Sequence, residues 1–296
     1  MKLRFVSLLV CASALISSAF GQDAGTLAKI KKDGVITLGV RESSVPFSYY
    51  DEKQNIVGYS ADMCALAVSA IKDKLHLTNL TVKEIPTTSQ NRLPLITNGT
   101  VDLECGSTTN NTDRAKQVSF SDTIFVIGTR LLVRRSSGIK DFSDLAGKNI
   151  VTTAGTTSEK ILREMNYKNN MHMNVISAKD HGESFLTLES GRAVAFMMDD
   201  ALLYGQLAKA PDAASYEVVG KPQSFEAYGL VMRRNDPEFQ SVVNQALVTA
   251  MKSGKADELY KKWFTSPIPP KGINLNFPMT AEVRDHFANP NDKPFQ

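Results

Sequence analysis

Apolar residues recur along the chain with two periods that alternate. Val35–Val40 (VITLGV) is a β-branched, aliphatic run behind Gly34 and predicts a strand. Met63, Leu66, Ala67, Ala70 and Ile71 then fall at helical spacing over 60–75, with Ser60 placed as the N-cap. Alternation returns over 80–85 as a second strand. Pro94 is tolerated only in the first turn of a helix, so the next helix is expected to begin between Ser89 and Asn91. Val101–Leu103 follows as a strand. This order predicts parallel strands covered by helices.

The pattern repeats further on. Asn149–Thr153 (NIVTT) reads as a strand, and Thr156 and Glu159 are spaced as a capping box for the helix after it. Residues 174–178 form the next strand, 182–190 a helix ended by Gly191, and 193–198 a buried strand after which Asp199 and Asp200 start a helix. Asp236-Pro237 is an N-cap with proline at the first helical position. GTRLLVRR (128–135) and AYGLVMRR (227–234) read as two strands that cross between the blocks. Two crossings make a hinge, and a hinge between lobes makes a cleft. The stretch from Ser266 reads as an irregular surface tail.

The first residues stand apart from this pattern. Lys2 and Arg4 precede an apolar section from Phe5 to Phe20, and Ala19-Phe20-Gly21 has small residues where a signal peptidase cuts. Residues 1–21 are therefore expected to be a cleaved signal peptide and the protein to be periplasmic. The section is shorter than the roughly 20 residues a membrane span needs. Cys11 lies inside it, too close to the start for a lipoprotein anchor. Without Lys2 and Arg4 the formal charge falls from +3 to +1, which leaves no nucleic-acid footprint. Cys64 and Cys105 remain, and an oxidising compartment permits a bridge between them. With no histidine at ligand spacing they predict no metal site, and no cofactor motif is present. The 296 residues, 42% hydrophobic and 22% charged, suit two globular units.

The candidate chemistry sits at strand ends, where open α/β sheets bind ligands. Arg41 follows the first strand. Ser107 and Thr109 follow the strand at 101–105, with Arg114 just beyond. Gly155-Thr156-Thr157, His181 and Asp199 follow the three strands of the second block. Any one of these is ordinarily a cap or a solvated loop residue; their recurrence at nearly every strand end is the signal. Ser89-x-x-Arg92 is weak by itself. Arg41, Arg92 and Arg114 are permanent cations, and Asp199 is an anion. Such a pocket suits a ligand with two carboxylates and one ammonium. An enzyme would need a nucleophile with its base or a pair of carboxylates. A lyase acting on a carboxylated ring, with Glu104 or His181 as general acid, is the rival reading. His181 is expected to be the pH-sensitive member of the site.

GVRESSVPFSYYD, VGYS, TTSQNRLPLITNGTVDLECGSTTNNTDR, FSDTIFV, GTTSE, SAKDHGESFLTLESGRAVAFMMDDALL and WFTSPIPP together resemble the polar amino-acid family (family 3) of periplasmic solute-binding proteins, and within it the acidic-amino-acid branch. The resemblance runs from about Gly34 to the tail. It implies a two-lobe, type II binding-protein fold of α/β class, with 22–130 and 226–296 in one lobe and 131–225 in the other. It implies capture of L-glutamate or L-aspartate by a monomer and delivery to an inner-membrane ABC permease, without catalysis. A ligand sensor for a chemoreceptor would share the same site.

By the same resemblance, Gly106, Ser107, Thr109 and Arg114 hold the ligand α-carboxylate, with Thr157 contributing. Thr112-Asp113-Arg114 is one residue shorter than the family spacing unless Asn111 is counted. Asp199 takes the α-ammonium. Arg41, Ser89, Arg92 and His181 match the residues that hold the side-chain carboxylate.

Overall fold

The computed structural model describes residues 25–294, so the signal-peptide reading of 1–21 and Cys11 lies outside the described residues. The chain opens with α1 (Thr26–Asp33) and β1 (Val35–Val40). A small meander follows, β2 (Ser43–Ser44), β3 (Ser48–Tyr50) and β4 (Ile56–Val57), then α2 (Tyr59–Lys74) and β5 (Thr81–Pro86). Next come α3 (Arg92–Thr97), β6 (Leu103–Glu104), α4 (Thr112–Ala115), β7 (Val118–Phe120) and the long β8 (Phe125–Arg134). The middle of the chain holds β9 (Asn149–Thr153), α5 (Thr157–Lys168), β10 (Asn174–Ala178), α6 (His181–Glu189), β11 (Ala195–Asp199), α7 (Asp200–Lys209) and β12 (Tyr216–Val219). β13 (Phe225–Tyr228) and β14 (Val231–Arg233) lead into α8 (Pro237–Lys252) and α9 (Lys255–Phe264). A hairpin of β15 (Pro267–Ile268) and β16 (Ile273–Asn274) precedes α10 (Ala281–Ala288).

Two sheets organise these elements. The first has the order β5-β1-β6-β14-β7, and the second β10-β9-β11-β8-β12, with β13 added on β8. The expected parallel cores are present: β1 pairs parallel with β5 and β6, and β9 with β10 and β11. Each sheet also carries antiparallel strands where the chain crosses between blocks, β14 in the first and β8, β12 and β13 in the second. The second crossing differs from a single strand over 227–234. It splits at Gly229-Leu230, so β13 stays with β8 and β14 enters the first sheet. Parallel strands all end on one edge of their sheet, so the residues after β1, β5 and β6 face one side and those after β9, β10 and β11 another.

An aromatic cluster lies under the crossing. Phe47, Tyr59, Phe125, Tyr228, Tyr260 and Phe264 are almost fully buried. Phe125 stacks on Phe264 at 4.7 Å between centroids, and Phe47 meets Phe125 edge-on at 4.9 Å. Offset and edge contacts of this kind add about 0.5–1.5 kcal/mol per pair beyond burial. They seat β8 and β13 on α9. Cys64 of α2 is joined to Cys105, just past β6, by a disulfide that closes a separation of 41 residues.

Several local expectations are corrected. Ser60 is buried inside α2, whose N-cap is Gly58. Thr156 does cap α5 by accepting from the Glu159 N–H, but the Glu159 carboxylate accepts from the Gly155 N–H, one residue short of the reciprocal bond of a capping box. The tail is not irregular: Thr280 accepts from the Val283 N–H, and α10 buries Val283 and Phe287 beside α8. Its apolar spacing of four residues is a single helical face, too short to stand out as a pattern.

Candidate ligand-binding site

Glycine placement and buried charge shape the first half of the site. Arg41 follows β1, and Ser107 and Thr109 follow β6. Gly106 between them has no room for a side chain: a Cβ there would lie 2.3 Å from Glu104 Oε1 and 2.8 Å from Arg41 Cγ. The loop therefore runs tight against Arg41, which is buried and donates through Nη2 to Ser89 Oγ at 3.1 Å. Arg92, at the start of α3, is also buried and donates to the Ser107 carbonyl at 3.1 Å. Loop residues 108–110 then run alongside β13: the Gly229 N–H donates to the Thr108 carbonyl and the Asn110 N–H to the Ala227 carbonyl.

Three guanidinium groups face a short list of counter-charges. Burial and the charge of Arg92 push Arg41 down to about 10; burial and Arg92 do the same to Arg114, also to about 10. Both remain cations at neutral pH. Glu104 opposes all three, raising Arg41, Arg92 and Arg114. It is fully buried and accepts from the Thr108 hydroxyl at 2.7 Å, while its second oxygen has no partner. Arg41 Nη1 and Arg92 Nε are likewise buried without a partner among the described residues. An unsatisfied buried charge-bearing donor is costly, and an incoming carboxylate would satisfy it.

The second half comes from the strand ends of the other sheet. His181 opens α6, and its Nδ1 lies 2.8 Å from Thr153 Oγ1. Thr153 Oγ1 also lies 2.8 Å from Ser184 Oγ, which donates to the Asp180 carbonyl. Three contacts need three protons. Ser184 supplies one to Asp180, Thr153 one to Ser184, and the third is the proton on His181 Nδ1. That tautomer leaves Nε2 bare, and Nε2 is buried without a partner. Burial, Arg41 and Arg92 hold the His181 pKa well below the ordinary histidine range. The ligand-free site therefore contains neutral His181, not a group titrating near neutrality as the sequence suggested.

Asp199 ends β11 and stands at the N-cap of α7, yet its side chain makes no capping bond. Its carboxylate accepts instead from Thr129 Oγ1 at 2.8 Å, from Ser158 Oγ at 3.4 Å and from the Tyr228 hydroxyl. Burial first, then the charge of Glu226, push Asp199 up to about 7. Thr157 donates to Glu226 Oε2 at 2.9 Å.

The halves are closed on one another. Arg114 donates to the Thr109 carbonyl at 3.0 Å and across the cleft to the Gly155 carbonyl at 3.3 Å. Lys160 meets Asp113 at 3.0 Å, and Gln206 donates to the Ser43 carbonyl at 2.7 Å. Gly155 has φ +78° and packs against Gln90, which a Cβ would approach to 2.9 Å. Between the halves lies a narrow, nearly filled cavity of about 10 Å³ lined by Ser89, Arg92, Ser107, Thr109, His181 and Asp199, among others. A larger groove between α2 and α8 has no comparable convergence of buried charge.

Extracellular solute-binding proteins of bacteria, family 3, match this chain over residues 36–266. The chain belongs to that family. The glutamate/aspartate import solute-binding protein of Salmonella typhimurium is 59% identical over 268 residues, 90% of this chain and 89% of that protein. The L-glutamate/L-aspartate-binding protein of Pseudomonas aeruginosa is 56% identical over 284 residues, 95% and 94% of the two chains. Both relatives are binding proteins, not enzymes. Among solved structures, an ancestral arginine-binding protein bound to glutamine superposes with a TM-score of 0.70 at 28% identity, covering 78% of this chain and 98% of that one. An ancestral amino acid-binding protein described as a precursor of cyclohexadienyl dehydratase gives 0.70 at 29%, covering 81% and 100%.

In this solute-binding protein, Ser89, Arg92, Ser107, Thr109, Thr157, His181 and Asp199 all line the cavity, and Thr156, Met198 and Leu202 join them. Arg41 and Arg114 stand behind that lining, Arg41 through Ser89 and Arg114 through the Thr109 carbonyl. Sequence reasoning missed Thr129, Ser224, Glu226 and Tyr228, which come from the crossing strands and their approach. Their signal is a buried acid in a strand whose exposed neighbour is an aromatic: Glu226 is 3% exposed and Phe225 57%.

Proposed function

We propose that this solute-binding protein captures L-glutamate and L-aspartate in the periplasm and delivers them to the inner-membrane permease of an ABC transporter. The functions of its relatives support the ligand and the transport role. One observation carries the reading to individual residues: buried Arg92 keeps an unpartnered donor nitrogen among the described residues and lines the same cavity as Asp199, with Arg41, also short of one partner, behind it through Ser89. In the assignment we favour, the side-chain carboxylate sits with Arg41, Ser89, Arg92 and His181. The α-carboxylate sits with Ser107, Thr109, Arg114 and Thr157, and the ammonium with Asp199. The protein acts as a monomer of two lobes, 22–130 with 226–296 and 131–225, after loss of residues 1–21. Charge-assisted hydrogen bonds contribute about 1.5–3 kcal/mol each, so a few of them reach the roughly 8 kcal/mol of micromolar affinity after closure takes its share.

The test is calorimetric titration with each of the twenty amino acids. Glutamate and aspartate should bind at micromolar concentration or below. Glutamine, whose amide leaves a buried guanidinium partly unpaired, should bind weaker by about 2–5 kcal/mol. Equal affinity for glutamine and glutamate overturns the assignment.

A further inference from the structure

Four oxygens form an unbroken chain between the two acids at the hinge. Glu226 Oε1 lies 2.6 Å from Ser224 Oγ, Ser224 Oγ 2.9 Å from Thr129 Oγ1, and Thr129 Oγ1 2.8 Å from Asp199 Oδ1. Three hydrogen bonds need three protons, and the two hydroxyls supply two. The third has to be a carboxyl proton. It can sit on Glu226, with Ser224 donating to Thr129 and Thr129 to Asp199. It can equally sit on Asp199, with every donation reversed. The proton belongs to the pair, not to either residue.

We propose that Asp199 and Glu226 are one proton-sharing acid pair, joined through Thr129 and Ser224, which releases its proton when a ligand ammonium arrives at Asp199. Glu226 is then a positioning residue for ammonium recognition. It acts through the relay, because it lies behind Thr157 and Ser224. The inference rests on the ligand reading only for the presence of an ammonium group.

The surroundings favour this. Both acids are buried, at 4% and 3% exposure, and the charge of Glu226 helps push Asp199 up. Asp199 also faces Asp200, which raises it further, and the Tyr228 hydroxyl, which donates to it. Arg92 and Arg114 look across from the first lobe, and Arg114 also feels Glu226. Arg41, Glu104 and His181 are the remaining titratable groups around the site. An ammonium at Asp199 adds the positive charge that lets both acids ionise. Thr129 is on β8, Ser224 directly precedes β13, and Glu226 is on β13. The relay thus spans both crossing strands, where a lobe movement has to turn.

Glutamate titrations of the mature protein at pH 6.5, in buffers of different ionisation enthalpy, count the protons exchanged. With Asp199 at about 7, roughly three-quarters of a proton should be released by this pair. The quantity that decides is the difference between wild type and Glu226→Gln, which removes any opposite exchange at His181. Below pH 7, wild-type affinity should also fall relative to the variant, by a factor that approaches about tenfold per pH unit well below the pKa. Equal proton counts in the two proteins overturn the proposal. Should Glu226→Gln not fold or not bind, infrared difference spectra of the wild type decide. A carboxylic-acid C=O band must disappear on adding glutamate, and its absence from the ligand-free protein overturns the pair. A protein that binds no amino acid gives no heat at all, which is a failure of the ligand reading and not of this one.

Discussion

Arg92→Met separates what the guanidinium does for the ligand from what it does for the fold. Arg92 is 2% exposed, donates through Nη1 to the Ser107 carbonyl, and keeps Nε unpartnered. Its charge also depresses Arg41, Arg114 and His181. In the ligand-free protein the substitution loses one hydrogen bond and relieves like-charge repulsion from two arginines, and methionine refills most of the volume. Ligand-free stability should therefore change by no more than about 1–2 kcal/mol. With glutamate bound, two charge-assisted hydrogen bonds go, and of the two guanidinium groups assigned to the side-chain carboxylate only Arg41 is left, beside Ser89 and His181. At about 1.5–3 kcal/mol per bond, discounted for the easier apo state, the loss is about 3–4 kcal/mol. That is on the order of 10²–10³-fold in Kd. Glutamine should lose far less, so the preference for glutamate over glutamine should shrink to less than about tenfold. Calorimetry with both ligands and denaturant unfolding of the ligand-free variant measure all three quantities. An unchanged glutamate Kd, or equal losses for both ligands, would refute the division of labour between Arg92 and Arg114.

Gly155→Ala places a β-carbon 2.9 Å from Gln90 Cα at a positive-φ turn, so it should oppose closure and raise the glutamate Kd about tenfold; small-angle scattering of the glutamate-saturated variant should show a more open molecule than wild type. Reducing the Cys64–Cys105 bridge, which closes a separation of 41 residues, should cost about 3–4 kcal/mol of unfolding free energy, read as a lower midpoint in urea with dithiothreitol than without. His181 should show a bare Nε2 by nitrogen NMR in the ligand-free protein and a protonated one with glutamate bound, because the ligand carboxylate offsets Arg41 and Arg92; a resonance unchanged on binding would remove His181 from the carboxylate subsite. Its bound-state pKa is then the raised one, so this contribution to affinity grows as pH falls, opposite in sign to that of the Asp199–Glu226 pair.

How far the chain could be read in advance follows from where the information lies. β1 and β9 were legible to the residue because each is a mostly apolar or β-branched run bounded by Gly34 and Lys148, and burial on both faces leaves no ambiguity of period; β10, an edge strand, was legible from its place between two helices. The cations and hydroxyls of the site were legible because parallel strands deliver their ends to one edge, so position in the order of elements stands in for position in space. Neither argument reaches residues whose role depends on pairing across the chain. Thr129 and Glu226 lie near the junctions between blocks, where strand membership was uncertain. Glu226 is buried because β13 sits antiparallel on β8 with Glu226 opposite Ile127, a register that alternation does not reveal. In that register Phe225 faces solvent and Glu226 faces the site, the reverse of what folding alone would choose. A strand that buries its acid and exposes its aromatic is destabilised relative to the opposite arrangement by the desolvation of a carboxylate, a cost that the hydroxyls of Thr157 and Ser224 offset in part. At this strand the chain gives up favourable packing to hold a carboxylate behind the cleft, where local propensity and fold disagree.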